Sequence, residues 1–310
     1  MNPLFEDYKD KPWLIHTETE PSQKTKNCIP RLLELSEKYP IAPGNELDYF
    51  DDTTPDTMIR EDITTAGGVI LYKYTPKNLD PGEKRVIYYI HGGGFMRGNT
   101  NWCRANAICH VRNFGLPAYA ATYRYTPEFK YPAGLEDAED GYHYMVNKQG
   151  HDPSDIIVTG DSAGATYMFA LCGRLKRQGK KLPGRLISMS GFLDFTFKGA
   201  SYKYNLGKDI MFTAPLDESV HFYTDEPDAT NPDISPIYMD FTGLPPAFFT
   251  ADDTEVFVSD ALTAADKMDK AGIPVKAHIM HGLWHDFLFE TPEIEESKLI
   301  YKELSAWLNS

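Results

Sequence analysis

Residues 156–164 read Ile-Ile-Val-Thr-Gly-Asp-Ser-Ala-Gly. The short apolar, β-branched run Ile156–Thr159 has the character of a buried strand. Ala163–Arg177 then has the length and composition of a helix. Between them stands G-x-S-x-G, Gly160 to Gly164. In a sharp strand-to-helix reversal the flanking glycines remove side chains that would clash, and the Ser162 hydroxyl projects into the open. The helix N-terminus behind it favours negative charge. The same five residues can also be an ordinary N-cap serine in a glycine turn. The strand–turn–helix setting is what favours an exposed nucleophile.

Outward from this stretch the same alternation continues. Upstream, Met58–Thr65 and Gly68–Tyr74 are β-rich around the turn Ala66-Gly67-Gly68, followed by the apolar run Arg85–Ile90. A helix over Trp102–Phe114, a strand over Pro117–Thr122 and a helix over Gly134–Asn147 come next. Downstream, Leu186–Met189, Ala247–Ala251 and Val275–Met280 read as strands, Asp260–Ala271 and Glu293–Leu308 as helices. The expectation is an α/β fold with a mostly parallel, eight-stranded sheet flanked by helices. The core is expected to span 58–194 and 240–310. Residues 1–57 are polar and Pro-dotted, with one amphipathic helical stretch at Ile29–Tyr39. Residues 195–239 are too long for a plain connection and should form an inserted segment.

Ligands of open α/β sheets bind beyond the carboxyl ends of the strands, so the residues just past the strands matter most. After Arg85–Ile90 comes His91-Gly92-Gly93-Gly94-Phe95. Consecutive glycines expose backbone N–H groups that can hold an oxyanion, with the Ala163 N–H as a third donor. The run lacks the spacing and lysine of a phosphate loop. After Val275–Met280 come His281 and His285, two candidates for a general base with a near-neutral pKa. After Ala247–Ala251 come Asp252, Asp253 and Glu255, three candidates for the acid that orients the imidazole. The resulting chain order, Ser then acid then His, is that of one of the three unrelated triad arrangements. His91 is expected to brace its loop rather than take a proton. The HxxxH spacing of His281 and His285 has no third ligand near it, so no metal and no cofactor are expected.

The chain carries 31 Lys+Arg against 45 Asp+Glu, a formal charge of −14. So acidic a surface repels phosphate backbones and anionic lipids, which argues against nucleic-acid and membrane-surface partners. No apolar run approaches the roughly 18 residues of a membrane span. The opening MNPLFEDYKDKPW lacks a basic run followed by an apolar core, so no signal peptide is expected. The four cysteines, Cys28, Cys103, Cys109 and Cys172, form no CxxC pair, and a cytoplasmic address is expected.

Taken together, HGGGF (91–95), YRYTPEFKYPAGLEDA (123–138), GDSAG (160–164), SPIYMDFTGLPPAFFTA (235–251) and HGLWHDF (281–287) resemble the hormone-sensitive-lipase-like, HGGG-bearing family of α/β-hydrolases. The resemblance runs from about residue 58 to the C-terminus. It implies Ser162 as nucleophile, His285 as base and an oxyanion hole of Gly93, Gly94 and Ala163, with His91 and Gly92 completing the motif. It also implies a helical cap, here 1–57 and 195–239. The chain departs from the family at Ala165-Thr166, where Gly and Asn are usual, and at YRYTPE in place of YRLAPE. The usual acid position falls on Thr254, which cannot serve. The downstream register favours Glu255, with Asp253 and then Asp252 as alternatives.

The implied activity is hydrolysis of short-chain acyl or aryl esters through an acyl-enzyme. Amide or formamide cleavage and deacetylation of sugars or other small molecules use the same triad and stay open. A catalytically dead receptor would have lost the base, and His285 is present. The last strand, Val275–Met280, is expected to be an open edge able to pair with a second copy.

Overall fold

The computed structural model describes residues 3–39, 50–98, 100–212, 216 and 222–310. The parts of the two expected cap segments at 40–49, 213–215 and 217–221 lie outside the described residues. Among the described residues one sheet of nine strands forms: β1 Leu14–His16, β2 Met58–Thr64, β3 Ile70–Pro76, β4 Val86–Ile90, β5 Ala118–Ala121, β6 Ile156–Asp161, β7 Arg185–Met189, β8 Ala247–Asp252 and β9 Val275–Met280. Their order is β1-β9-β8-β7-β6-β4-β5-β3-β2. Every neighbouring pair is parallel except β5–β3 and β3–β2.

The period of the strands builds two cores. In β4, Val86, Tyr88 and Ile90 face one layer, Ile87 and Tyr89 the other, and all five are buried. Helices follow the strands in chain order: α1 Gln23–Lys26, α2 Ile29–Lys38, α3 Thr100–Phe114, α4 Ala133–Asn147, α5 Ser162–Arg177, α6 Ser201–Tyr204, α7 Val258–Lys270, α8 Phe287–Glu290 and α9 Glu295–Leu308. Buried residues of α4, α5 and α7, such as Leu135, Leu171 and Ala261, join the first layer. Ile108 and Val111 of α3 and Ile300 and Leu304 of α9 join the second. With both faces covered, the central strands are apolar throughout rather than alternating.

The eight strands read from the sequence are all present, and the ninth is a correction. Leu14–His16 lies in the segment assigned to the cap, yet it pairs in parallel with Ala277–Ile279. Three residues are too few to show a period, so the sequence pattern could not reveal them. β1 also covers the outer edge of β9 over those residues. The expected open edge is therefore not at β9, and a second copy adding along the sheet would meet β1.

After β4 the chain moves to β5 on one side, then returns to place β6 on the other. This reversal is the switch point at which α/β sheets open a crevice. Here the crossing is tight. A Cβ on Gly164 would lie 2.0 Å from the Ile90 carbonyl oxygen, and one on Gly160 would lie 2.6 Å from the Gly164 carbonyl oxygen. Gly164→Ala should therefore lower unfolding free energy by about 3 kcal/mol, the upper end for overpacking. Gly82→Ala, where the nearest atom is Asp80 Oδ1 at 3.4 Å, should cost under about 0.5 kcal/mol. Urea unfolding of the two variants checks the contrast.

Candidate active site

Ser162 opens α5 directly from the end of β6, with φ at 46°. That left-handed value is uncommon for a residue with a Cβ, and it turns the side chain out of the strand–helix corner. The preceding residue, Asp161, is fully buried. Both of its oxygens accept the Gly92 N–H at 3.0 Å, and Oδ1 also accepts the Tyr89 hydroxyl at 2.8 Å. Trp102 Nε1 donates in turn to that hydroxyl at 3.0 Å. Asp161 thereby ties the serine turn to the glycine loop that follows β4.

In that loop Gly93 and Gly94 have φ of 99° and 63°. A Cβ on Gly93 would lie 2.2 Å from the Arg97 carbonyl oxygen, so the backbone there admits only glycine. The Gly92 N–H is committed to Asp161. Among the described residues, the N–H groups of Gly93, Gly94 and Ala163 have no acceptor within the protein. His91 is fully buried, stacks on Tyr123 at 4.2 Å, and has Nδ1 2.7 Å from the Gly92 carbonyl. Burial pushes its pKa down to about 4, against the opposing pull of that carbonyl. The ring is therefore neutral, and Nδ1–H donates to the Gly92 carbonyl and braces the loop.

The three candidate acids after β8 each have a different partner. Asp252 accepts the Leu283 N–H at 2.8 Å on Oδ2, and on Oδ1 the Thr254 N–H at 2.9 Å and hydroxyl at 2.6 Å. Burial raises its pKa to about 8, with the Thr254 bond opposing. Asp253 lies between two imidazoles, His16 Nε2 at 3.0 Å and His281 Nδ1 at 2.9 Å. Glu255, wholly buried, has Oε2 2.7 Å from His285 Nδ1. Its Oε1 accepts the Ser190 hydroxyl at 2.8 Å and the Asp252 N–H at 2.7 Å. The two competing histidines thus take different acids: His285 pairs with Glu255, and His281 with Asp253.

Sequence reasoning missed the residues that hold this loop. Asn205 Nδ2 donates to the carbonyls of Asp253 and Glu255 at 2.9 and 2.7 Å. Asp209 accepts the Val256 N–H at 3.0 Å. Both belong to the inserted segment, 50 and 47 residues from their partners, where no local spacing signals the contact.

His285 is buried between the ring edges of Phe212 and Phe257, at 4.8 and 5.2 Å. Its Nε2 lies 3.2 Å from Asp286 Oδ2. Among the described residues Ser162 Oγ makes no hydrogen bond, so the serine and the imidazole are not joined directly here. Such bonds often tighten only around substrate. Burial works to lower the His285 pKa, but the charges of Asp286 and Glu255 outweigh it and hold it well above the usual imidazole value. Burial, then the charge of Asp286, likewise push Asp161 well up.

A sequence profile described as the alpha/beta hydrolase fold matches residues 87–289. An esterase of Acinetobacter venetianus is 29% identical over 228 residues, covering 73% of this chain and 75% of its own. An acetyl-hydrolase of Streptomyces hygroscopicus is 29% identical over 250 residues, 80% of this chain and 82% of its own. Among solved structures, a hormone-sensitive lipase from a metagenome library matches with a TM-score of 0.80 at 24% identity, covering 94% of this chain and 99% of that one. The chain belongs to the α/β-hydrolase family, and its HGGG and GDSAG motifs put it beside the hormone-sensitive-lipase-like members.

Proposed function

We propose that the protein is a serine carboxylesterase acting on short-chain acyl or aryl esters. The observation that carries this reading is the 2.7 Å pairing of His285 Nδ1 with the buried Glu255. It stands beside a serine elbow and three uncommitted N–H groups. The names of the relatives, esterase and acetyl-hydrolase, support it.

In this mechanism Ser162 Oγ attacks the ester carbonyl carbon as its proton passes to His285 Nε2. The carbonyl oxygen becomes an oxyanion, held by the N–H groups of Gly93, Gly94 and Ala163 at the N-terminus of α5. The carbon–oxygen bond to the alcohol breaks, and Nε2 returns the proton to the departing oxygen. A water then attacks the acyl-serine by the same route. Glu255 takes the Nδ1–H, which fixes the tautomer and stabilises the imidazolium. Asn205 and Asp209 act at one remove, by holding the turn that carries Glu255.

The short-acyl preference rests on the aromatic wall next to the glycine loop. Phe95 packs against Tyr223 at 4.1 Å and Phe195 at 5.5 Å, and Phe192 against Phe195 at 4.5 Å. Such packing leaves little room for a long chain. Residues 195–239 and the N-terminal segment other than β1 are read as the cap. The cytoplasmic address belongs to the same proposal; among the described residues no helix is long and apolar enough to cross a membrane.

Four expectations test the reading. A fluorophosphonate should label Ser162 stoichiometrically, and Ser162→Ala should abolish labelling and reduce kcat by roughly 10⁴–10⁶-fold. In a p-nitrophenyl series from C2 to C12, run beside an N-formyl amide, kcat/KM should peak at C2–C4. A steady climb to C12, or a preference for the amide, overturns the substrate assignment. The third expectation concerns the acid, and the fourth the pH dependence. Glu255→Gln should reduce kcat by about 10⁴-fold with KM little changed, whereas Asp253→Asn should chiefly lower the melting temperature. Catalysis needs neutral His285, so kcat/KM should rise with pH along a limb lying above the ordinary imidazole pKa. In Glu255→Gln, which loses one of the two charges that raise His285, the residual activity should show that limb moved to lower pH.

A further inference from the structure

Asp286, the residue after the base histidine, raises the His285 pKa by its charge but takes no step in the mechanism above. Its backbone is left-handed, with φ 57° and ψ 29°. Its N–H donates to Ser190 Oγ at 3.1 Å, and its carbonyl accepts the Phe289 N–H at 2.9 Å. The side chain is therefore aimed by a fixed backbone. Asp286 is only 6% exposed. One oxygen, Oδ2, lies 3.2 Å from His285 Nε2. The other, Oδ1, is buried and has no hydrogen-bond partner among the described residues.

The neighbouring acids are accounted for in other ways. Glu255 is on the opposite side of the imidazole, at Nδ1. Asp161 is taken up by Gly92 and Tyr89. Asp209 accepts the N–H groups of Met211, Phe212 and Val256. Among the described residues no lysine or arginine pairs with Asp286. A buried carboxylate oxygen without a donor is costly, and a ligand that brings a donor offsets that cost.

Position decides which part of the substrate that is. Nε2 is the nitrogen that hands the proton to the departing oxygen. Any alcohol oxygen bonded to Nε2 therefore sits beside Asp286, and the atoms one or two carbons beyond it face Oδ1. We propose that Asp286 selects the alcohol half of the ester, binding through Oδ1 a hydrogen-bond donor, a hydroxyl or a protonated amine, carried one or two carbons from the ester oxygen. The inference rests on the esterase reading and names its leaving-group class. No covalent step is added: the proton still travels from Ser162 to His285 to the departing oxygen.

The test uses four acetates in two pairs of similar size: propyl acetate with 2-hydroxyethyl acetate, and 2-(dimethylamino)ethyl acetate with acetylcholine. The last carries a cation without a donor. Each kcat/KM is divided by that ester's rate of hydrolysis by hydroxide, which removes differences in intrinsic reactivity. For the wild-type protein the hydroxyethyl and dimethylaminoethyl esters should exceed propyl acetate by about tenfold or more, and acetylcholine should not. Asp286→Gly keeps the left-handed backbone free of strain, and within that variant the ratios should fall to about one. Fluorophosphonate labelling of Ser162 in the variant reports that the elbow is intact. A wild-type ratio near one overturns the assignment without reference to any variant. So does a ratio that survives Asp286→Gly, or acetylcholine matching the dimethylamino ester while the hydroxyethyl ester matches propyl acetate. If wild-type protein hydrolyses propyl acetate but shows no preference, only the role of Asp286 fails. If it hydrolyses no acetate and Ser162 is not labelled, the esterase reading falls and takes this inference with it.

Discussion

The site depends on how closely the ends of β4 and β6 approach each other. The backbone of Gly164 abuts the Ile90 carbonyl with no space for a methyl group. Across the same gap Asp161 gives both oxygens to one N–H of the glycine loop. Sterics and a buried hydrogen bond thus act on the same pair of turns. The serine turn and the glycine loop come from segments about seventy residues apart, yet one buried acid, Asp161, ties them together. The commitment of Gly92 to Asp161 also explains why three consecutive glycines leave only two N–H groups for chemistry.

The other half of the site is built by sorting. Three carboxylates within four residues are nearly equivalent as sequence, and so are two histidines four residues apart. Folding separates them by giving each a partner with different surroundings. Asp252 turns inward to hold backbone, Asp253 meets two partly exposed imidazoles, and Glu255 meets the buried imidazole of His285. The extra methylene of Glu255 lets it reach His285 while Oε1 stays bonded to Ser190 and the Asp252 N–H.

Local pattern was enough to read the sheet and helices, because strands buried on both faces are apolar runs and the helices between them are long. It was also enough to find the serine turn and the glycine loop, whose glycines answer contacts within a few residues or at a strand end. The candidate acids could be narrowed by register but not separated by residue type. What escaped was short or distant. Leu14–His16 is a strand only because β9 offers it an edge. Asn205 and Asp209 matter only because a later loop returns to them. Asp286 follows a histidine and looks like an ordinary surface acid until its burial is known.

The docking of β1 carries a consequence for the order of folding. His16 reaches Asp253 across 237 positions, and Thr17 reaches His278 across 261. During synthesis the strand at 14–16 emerges early but has no partner until β9 exists. Contacts of such separation close late, since the entropy of forming so long a loop must be met before they return anything. Until then β9 presents a bare edge of backbone donors and acceptors, the kind of surface on which partly folded chains associate. The earliest-made strand thus joins the sheet only after β9 is made, and its docking covers that edge at Ala277–Ile279 and sets His16 against Asp253.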